Sequence, residues 1–362
     1  MSCLSAVVPL SACNPSVNVT CICPESDQYP ELMRCVGSRC SPKEILAVMV
    51  IESTACDRPR RTRKAALLVP LGIILPAFIL LLVRFYSRWI ISGQFEADDY
   101  VMMVCAVAYT AMEIINQIEG AVGFGFDLWT IRREDLALGL KLLHFVESLY
   151  IITIALAKVS LLTFYLRTFS EPHTNMRRAT CCVLGFVIVV NAILLVVQIF
   201  QCIPFEANWE RWNAAYNRPY PCVNVNQFLI ARAGLNIAQE VIIMCLPVPT
   251  LLRLNLPLRL KMNAVAMFSL GILIVITSCT RLAYIIPLAD SVNFSWDYTD
   301  GIIWTGIEAA VTIIVPCLPS LRALINRLWA TPPADSSSEI ILGGRASETF
   351  TGKVPFHLRT WV

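Results

Sequence analysis

The stretch ATCCVLGFVIVVNAILLVVQIFQCI, residues 179–203, contains no charged side chain. An α-helix needs roughly 20 predominantly apolar residues to cross the hydrocarbon core of a bilayer, and a backbone in lipid must satisfy its own hydrogen bonds. Six other apolar stretches have a similar length: residues 65–90, 99–118, 138–167, 228–252, 263–287 and 301–328. The sequence therefore predicts an all-α membrane protein with a bundle of seven transmembrane helices over residues 65–328.

The composition is that of a membrane protein. Of 362 residues, 56% are hydrophobic and 15% are charged, whereas a soluble domain has about 25% charged residues. The net charge of +3 is too small to indicate a nucleic-acid partner, and the expected surroundings are membrane lipid. The three histidines, His144, His173 and His357, are dispersed and show no nucleophile–base or metal spacing. We therefore expect neither an enzyme nor a metal site.

Residues 1–57 form a separate, cysteine-dense head in front of the helices. They contain seven of the fifteen cysteines: Cys3, Cys13, Cys21, Cys23, Cys35, Cys40 and Cys56. Because this segment has no histidine and no CxxC pair, a disulfide framework in an oxidising compartment is favoured over a zinc site. Seven is an odd number, so either one thiol has no partner in the head or the chain begins late. We expect a missing N-terminal segment that carries a secretion signal and an eighth cysteine.

The distribution of basic residues indicates how the bundle sits in the membrane. With the head outside, the inner loops and the end of the last helix hold ten: Arg84, Arg88, Arg167, Arg177, Arg178, Arg253, Arg259, Lys261, Arg322 and Arg327. The outer loops hold five: Arg132, Arg133, Lys141, Arg211 and Arg218. This asymmetry predicts a plasma-membrane protein with an extracellular N-terminus and a cytoplasmic C-terminus. One segment disagrees, since the five basic residues of a basic linker, residues 58–64, lie on the proposed outer side.

Two further observations fit this orientation. The glycosylation sequons at Asn18 and Asn293 both lie outside. Cys202 and Cys222 bracket one outer loop, where a disulfide would tether the fourth and fifth transmembrane helices. Residues 329–362 are expected to form a short disordered cytoplasmic tail.

Ionisable side chains within the helices are the candidates for function, because charges are costly at membrane depth. They are Glu113, Glu147, Lys158, Arg232, Glu240, Arg281 and Glu308. From their depths, Arg281 can pair with Glu308, and Lys158 with Glu240. Such pairs either hold helices together or form a ligand cavity or helix lock, for which we predict Lys158, Glu240, Arg281, Glu308 and the neighbouring Trp304.

A series of short motifs runs through the helical array. They are Arg84-Phe-Tyr86-Ser-Arg88, Asp98-Asp99, Gly123-Phe-Gly125, Lys158-Val-Ser160-Leu161, Phe164-Tyr165-Leu-Arg167, Phe200-Gln-Cys202-Ile-Pro204, Leu246-Pro247-Val-Pro249 and Cys317-Leu-Pro319-Ser-Leu321-Arg322. With these motifs the array resembles the fungal rhodopsin-like receptor family, seven-helix proteins associated with surface sensing and pathogenicity in filamentous fungi. Two positions depart from the family pattern: Phe126 stands where a histidine is expected, and Glu240 where an aspartate is usual.

The resemblance implies a cell-surface receptor of the G-protein-coupled type, which senses an extracellular or host-surface cue through helix rearrangement. The ligand is unidentified, and the implied partner is a heterotrimeric G protein. Cytoplasmic coupling is predicted at Arg84, Arg88, Asp98, Asp99, Arg167 and Arg322. Retinal is not expected as a cofactor, because its Schiff base needs a lysine, normally in the last helix, and residues 301–328 contain none. A transporter is disfavoured, since no internal repeat pairs interrupted helices in two halves.

The head is similar to a CFEM domain, the eight-cysteine module of fungal extracellular membrane proteins. The CxC pair Cys21/Cys23 is followed by three cysteines at the family spacing, Cys3 and Cys13 take the second and third positions, and the first is absent. In haem-binding members an aspartate three residues before the CxC pair ligates the iron, and here Asn18 occupies that position. Because a neutral amide is a poor ligand for ferric haem, we predict a disulfide-stapled recognition surface. A membrane-anchored haem- or iron-binding protein is the alternative function.

Overall fold

The computed structural model describes residues 23, 29–63, 68, 71–168, 174–213, 216–249, 258–291 and 293–329. Within these residues the secondary structure is helical, apart from two isolated β-bridges. Ten α-helices follow in chain order: α1 Tyr29–Arg39, α2 Pro42–Ala55, α3 Leu71–Ser92, α4 Ala97–Val122, α5 Arg133–Thr168, α6 Thr174–Ile199, α7 Ala207–Glu210, α8 Val225–Cys245, α9 Leu258–Ile285 and α10 Phe294–Trp329. Short 3-10 turns lie at Leu128–Thr130 and Ile286–Asp290.

Seven of these helices, α3 to α6 and α8 to α10, are long and apolar enough to cross a membrane. The predicted all-α, seven-span membrane fold is therefore confirmed. Both α5 and α10 have 36 residues, which corresponds to about 54 Å, so they extend beyond a hydrocarbon core of about 30 Å. They begin five and seven residues before the predicted starts at 138 and 301, because their polar first turns lie outside the apolar stretches used to place them.

Local sequence signals set several helix ends. Backbone N–H of Glu96 donates to the Asp99 carboxylate at 3.3 Å, which caps the start of α4. Gly93 follows α3 with a φ of +64°, a conformation that glycine adopts without strain. Helix α8 ends at Cys245, earlier than the predicted residue 252, because Pro247 lacks the N–H that would continue it.

Helix α10 lies at the centre of the bundle. In the most apolar 18-residue segment of α10, 83% of the residues are buried, against 22% for α6. Helix α10 packs against α3, α5 and α9. Ala77, Cys105 and Ile313, from α3, α4 and α10, are completely buried in the main apolar core. Outward-facing side chains such as Leu82 and Val107 are 69% and 71% exposed, as expected for helices that face lipid.

The described part of the head contains α1 and α2. A disulfide joins Cys23 to Cys56 with a Cα–Cα distance of 5.6 Å, and Cys35 is also disulfide-bonded. Cys40 is a free thiol with a half-buried side chain, so its predicted place in the disulfide set is wrong. The predicted disulfides of Cys3, Cys13 and Cys21 lie outside the described residues.

Candidate functional site

Four charged side chains from four helices meet within the bundle and form what we call the central network. They are Glu147 of α5, Arg232 of α8, Arg281 of α9 and Glu308 of α10, each 5% exposed or less. Arg232 donates through Nη2 to Glu147 Oε2. Arg281 lies 3.6 Å from Glu147 Oε2 and 3.7 Å from Glu308 Oε2. Two carboxylates balance two guanidinium groups, which lowers the cost of burying charge at this depth.

Two tyrosines hold the carboxylates of the central network in place. The hydroxyl of Tyr298 donates to Glu147 Oε1, and that of Tyr150 donates to Glu308 Oε2 at 2.8 Å. The guanidinium of Arg281 also lies 4.3 Å from the ring centroid of Tyr150, a cation–π distance. Each carboxylate therefore has both a cationic and a hydroxyl partner.

Lys158 of α5 extends this network towards the end of the bundle that lies opposite the head. Its Nζ donates to Asn236 Oδ1 at 2.6 Å and to Gln239 Oε1 at 3.2 Å, and lies 3.9 Å from Glu240 Oε1. Asn236 Nδ2 in turn donates to Glu240 Oε1 at 2.7 Å and to Glu308 Oε1 at 2.8 Å. Asn236 thus connects the lysine to the central network.

The structure brings together four of the five residues predicted for the ligand cavity or helix lock, and both predicted ion pairs are present. Trp304 is the exception, since its ring stacks on that of Tyr284 at 6.1 Å, and Tyr284 is 43% exposed on the lipid-facing side of α9. The sequence analysis missed the uncharged members of the site: Tyr150, Asn191, Asn236, Gln239, Ser278, Tyr298 and Thr305. Polar residues at 232, 236 and 239–240 share one face of α8, and that periodicity could have found two of the missed members, Asn236 and Gln239.

Two further glutamates are buried in α4 and have no ion pair with any described residue. Glu113 is 6% exposed and Glu119 is completely buried, and neither oxygen of Glu119 has a hydrogen-bond partner in the described part of the chain. An isolated ionised carboxylate is very costly in such a place. The sequence analysis identified Glu113 but missed Glu119, because the predicted helix ended at residue 118 whereas α4 continues to Val122.

A second group of charges, the inner network, joins α3, α4 and α5 at the opposite end from the head. Arg84 Nη2 lies 2.8 Å from Asp98 Oδ2 and 3.0 Å from Asp99 Oδ1. Arg88 reaches the same two carboxylates at 3.6 and 3.5 Å, and Arg167 Nη1 lies 2.9 Å from Asp98 Oδ1. Five of the six residues predicted for cytoplasmic coupling therefore belong to one cluster.

The inner network also holds α10. Arg84 Nη1 donates to the carbonyl of Pro316, and Ser87 Oγ donates to the carbonyl of Ser320 at 2.9 Å. Pro316 and Pro319 lie inside α10, where each lacks the N–H that a helix uses for its backbone bonding. Arg322, the sixth predicted coupling residue, is exposed and has no described contact with the cluster.

At the outer end the basic linker is held against the loops of the bundle. A β-bridge pairs Thr62 with Phe126. Three arginines of the linker have carboxylate partners: Arg58 with Glu52 at 3.0 Å, Arg61 with Asp127 at 2.7 Å and Arg63 with Asp300 at 2.7 Å. Burial raises the pKa of Glu52, and Arg58 opposes that shift. These pairs neutralise three of the five basic residues of the linker, and the orientation of the bundle stays a prediction.

The outer loop between α6 and α8 contains the predicted disulfide between Cys202 and Cys222, with a Cα–Cα distance of 4.1 Å. Asn293 lies in the loop before α10, where its Nδ2 donates to Asp127 Oδ1 at 3.0 Å and its Oδ1 accepts from the N–H of Leu128 at 2.9 Å. Glycosylation at Asn293 remains a prediction, and the other sequon, Asn18, lies outside the described residues.

We expect Cys222→Ser to lower the free energy of unfolding by about 3 kcal/mol, because the disulfide closes a loop of about 20 residues. The matched control is Cys245→Ser, which removes an exposed free thiol at the end of α8. Thermal unfolding of the two variants in detergent measures the difference. Equal melting temperatures would contradict a stabilising role for this bond.

Among the residues that the structure describes, no three His, Cys, Asp or Glu side chains are placed to hold a metal ion. The described residues form a set of buried, charge-balanced contacts between helices. Such contacts can stabilise one arrangement of the bundle and be exchanged for others when helices shift.

Comparison with known proteins identifies both parts of the chain. The model of the fungal rhodopsin domain matches residues 83–327, and the model of the CFEM domain matches residues 1–57. The head is thus a CFEM-type domain, as the cysteine spacing predicted. No solved structure matches.

Curated relatives are about a quarter identical to the chain over the residues that align. The receptor GIN3 of Arthrobotrys oligospora is 26% identical over 80% of this chain and 71% of its own length. The polyenoic acids biosynthesis gene cluster protein Ba17b of Metarhizium anisopliae is 24% identical over 73% of this chain and 72% of its own. A SAT4 family membrane protein of Emericella nidulans is 26% identical over 57% of this chain. The chain spans about half of that protein's length, 51%. The fungal rhodopsin match covers most of the chain, from within the first membrane helix to near the end of the seventh, and the chain belongs to the fungal rhodopsin domain family.

Proposed function

We propose that this protein is a cell-surface receptor in which the head and outer loops engage an external cue and the inner network passes the resulting helix rearrangement to the cytoplasm. Membership of the fungal rhodopsin domain family and similarity to a protein named as a receptor support this proposal. We place it in the plasma membrane, with the head outside and the C-terminus in the cytoplasm.

One observation carries the proposal. Helix α10 takes part in both charge networks, through Glu308 in the central network and through the Pro316 carbonyl in the inner network. These positions are eight residues, or about 12 Å, apart along the same helix. A shift or rotation of α10 that alters the contacts of Glu308 therefore also moves the carbonyl that Arg84 holds.

The outer end of α10 offers a way for a cue to act on this helix. Asp300 pairs with Arg63 of the basic linker at 2.7 Å, and Tyr298, in the same helical turn, donates to Glu147 of the central network. Movement of the head can thus reach the central network within one turn of α10. At the inner end, the basic loops are the proposed contact for a heterotrimeric G protein.

The test is a signalling assay with Glu308→Gln, measured as cyclic AMP or kinase output in cells and normalised to surface expression. We expect altered output per receptor at the cell surface, because the amide keeps the volume of the side chain and removes its charge from Arg281. Glu113→Gln is the matched control, since Glu113 is a buried glutamate without an ion pair to a described residue. If the two variants give the same output as the wild type, the receptor proposal fails.

No described residue favours the alternative of haem or iron capture, and Asn18 lies outside the described residues. We expect the oxidised full-length protein to show no shift of the Soret band when haem is added. A clear shift would reinstate that alternative.

A further inference from the structure

Two adjacent cysteines near the start of α6, Cys181 and Cys182, are both exposed free thiols. Residues 169–173 alone separate the end of α5 from the start of α6, so α6 begins at the same end of the bundle as the inner network, opposite the head. In the orientation proposed above, these two thiols therefore lie towards the cytoplasmic side of the membrane.

Two arginines place the thiols close to the inner membrane surface. Arg177 and Arg178, at the start of α6, are exposed, and long basic side chains near a helix end extend to the membrane–water interface. Cys181 follows Arg177 by four residues, or about 6 Å along the helix axis. The Cα–Cβ bond in a helix tilts towards the N-terminus, which in α6 is the inner end. Both thiols therefore point back towards the inner surface.

The face of α6 that carries Cys182 is open to lipid. Helix α6 is the least buried of the seven candidate membrane helices. At spacings of four, three and four residues from Cys182, the side chains of Phe186, Val189 and Ile193 are all exposed, which makes one continuous apolar face. A Cβ added to Gly185 would meet no atom of the described chain within 4 Å. A hydrocarbon chain attached here can thus extend along α6 without displacing protein atoms.

Other free thiols of the helices have different surroundings. Cys105 and Cys317 are completely buried in the main apolar core, where no enzyme can reach them. Cys279 is exposed, but it lies near the middle of the apolar span Phe268–Leu288 of α9, far from either membrane surface. Exposure to lipid and nearness to the inner surface therefore coincide at Cys181 and Cys182.

We propose that Cys181 and Cys182 are modification sites that are S-acylated with a long-chain fatty acid. The cysteine sulfur attacks the carbonyl carbon of an acyl-coenzyme A. A new S–C bond replaces the S–C bond to coenzyme A, which leaves as a thiol with the proton of the cysteine, and nothing is oxidised or reduced. Membrane-proximal cysteines are typical sites of this reversible modification. The proposal goes beyond the receptor function and depends only on the orientation proposed with it.

The experiment counts thioesters on the full-length protein isolated from fungal cells. Free thiols are blocked with N-ethylmaleimide, thioesters are cleaved with neutral hydroxylamine, and the released thiols are labelled with maleimide-polyethylene glycol, so that each site adds one mass tag on a gel. All proteins carry Cys245→Ser, because this exposed thiol at the end of α8 would otherwise contribute. We expect two hydroxylamine-dependent tags, one fewer with Cys181→Ser or Cys182→Ser, and none with both changes. Incorporation of an alkynyl palmitate analogue should be lost in the double variant.

Cys279→Ser is the matched control, because it removes an exposed thiol that lies at the wrong depth, and it should leave both tags in place. The double variant changes only exposed side chains and should melt at the same temperature as its background. The proposal is overturned if no tag depends on hydroxylamine, if the double variant keeps the tags, or if Cys279→Ser removes one. Tags are counted without signalling, so their absence leaves the receptor proposal standing, and their presence does not rescue it if Glu308→Gln signals as the wild type does.

Discussion

Glu147→Gln is expected to lower the free energy of unfolding by about 3–5 kcal/mol, the cost of leaving a buried cation without its partner. The change removes the negative charge that Arg232 contacts directly and that Arg281 approaches at 3.6 Å. Glu308 remains as the only carboxylate of the central network beside two guanidinium groups. We expect a lower melting temperature in detergent and reduced surface expression.

The control for this prediction is Glu119→Gln on the neighbouring helix α4. Glu119 is as deeply buried as Glu147, but it has no ion pair with a described residue. Its replacement should change the free energy of unfolding by about 1 kcal/mol or less, since no described cation depends on it. Equal destabilisation by the two variants would mean that the ion pairs of the central network do not stabilise the bundle.

Asp98→Asn is expected to raise basal signalling on the order of tenfold, the size of effect that a coupling energy of about 1.4 kcal/mol produces. Asp98 is 2% exposed and is the shared acceptor of Arg84 and Arg167. Its neutralisation weakens the contacts that hold α3, α4 and α5 together at the inner end. It also weakens the position of Arg84, which donates to the Pro316 carbonyl of α10.

Two further variants separate this effect from misfolding. Arg167→Gln removes the contacts of one arginine of α5, to Asp98 and to Glu96, at a side chain that is 28% exposed. It should therefore raise basal signalling by a smaller factor without loss of surface expression. Arg218→Gln changes an exposed arginine of the loop between α7 and α8, outside the inner network, and should leave basal signalling unchanged. A fall in signalling with Arg167→Gln would contradict a restraining role for the network.

The helices of this protein could be predicted from local sequence because each apolar stretch is long enough to span a membrane by itself. The same depth argument placed Arg281 near Glu308 and Lys158 near Glu240, and both pairs are present at 3.7 and 3.9 Å. Depth along the membrane follows from sequence position and helical rise. Such pairs can therefore be predicted from a single sequence.

Contacts that depend on how helices are rotated and arranged could not be predicted in this way. The pair of Arg63 with Asp300 joins positions 237 residues apart, and nothing local to either residue indicates the other. Asn236 is uncharged and was therefore not among the residues selected from the sequence, yet it connects Lys158 to Glu308. Trp304 was grouped with the buried charges by its sequence neighbourhood alone, whereas its ring lies against Tyr284 on the periphery.

The most direct test of the account is a distance measurement between the inner ends of α6 and α10 in the purified protein. Spin labels on Arg177→Cys and Arg322→Cys, both exposed positions, report this distance once the exposed thiols are replaced by serine: Cys181, Cys182, Cys245 and Cys279. The account predicts that Glu308→Gln shifts the distance by about 2 Å or more, as helix movements in switching proteins do, and that Glu119→Gln does not. An unchanged distance distribution with Glu308→Gln would contradict the claim that α10 couples the central network to the inner one.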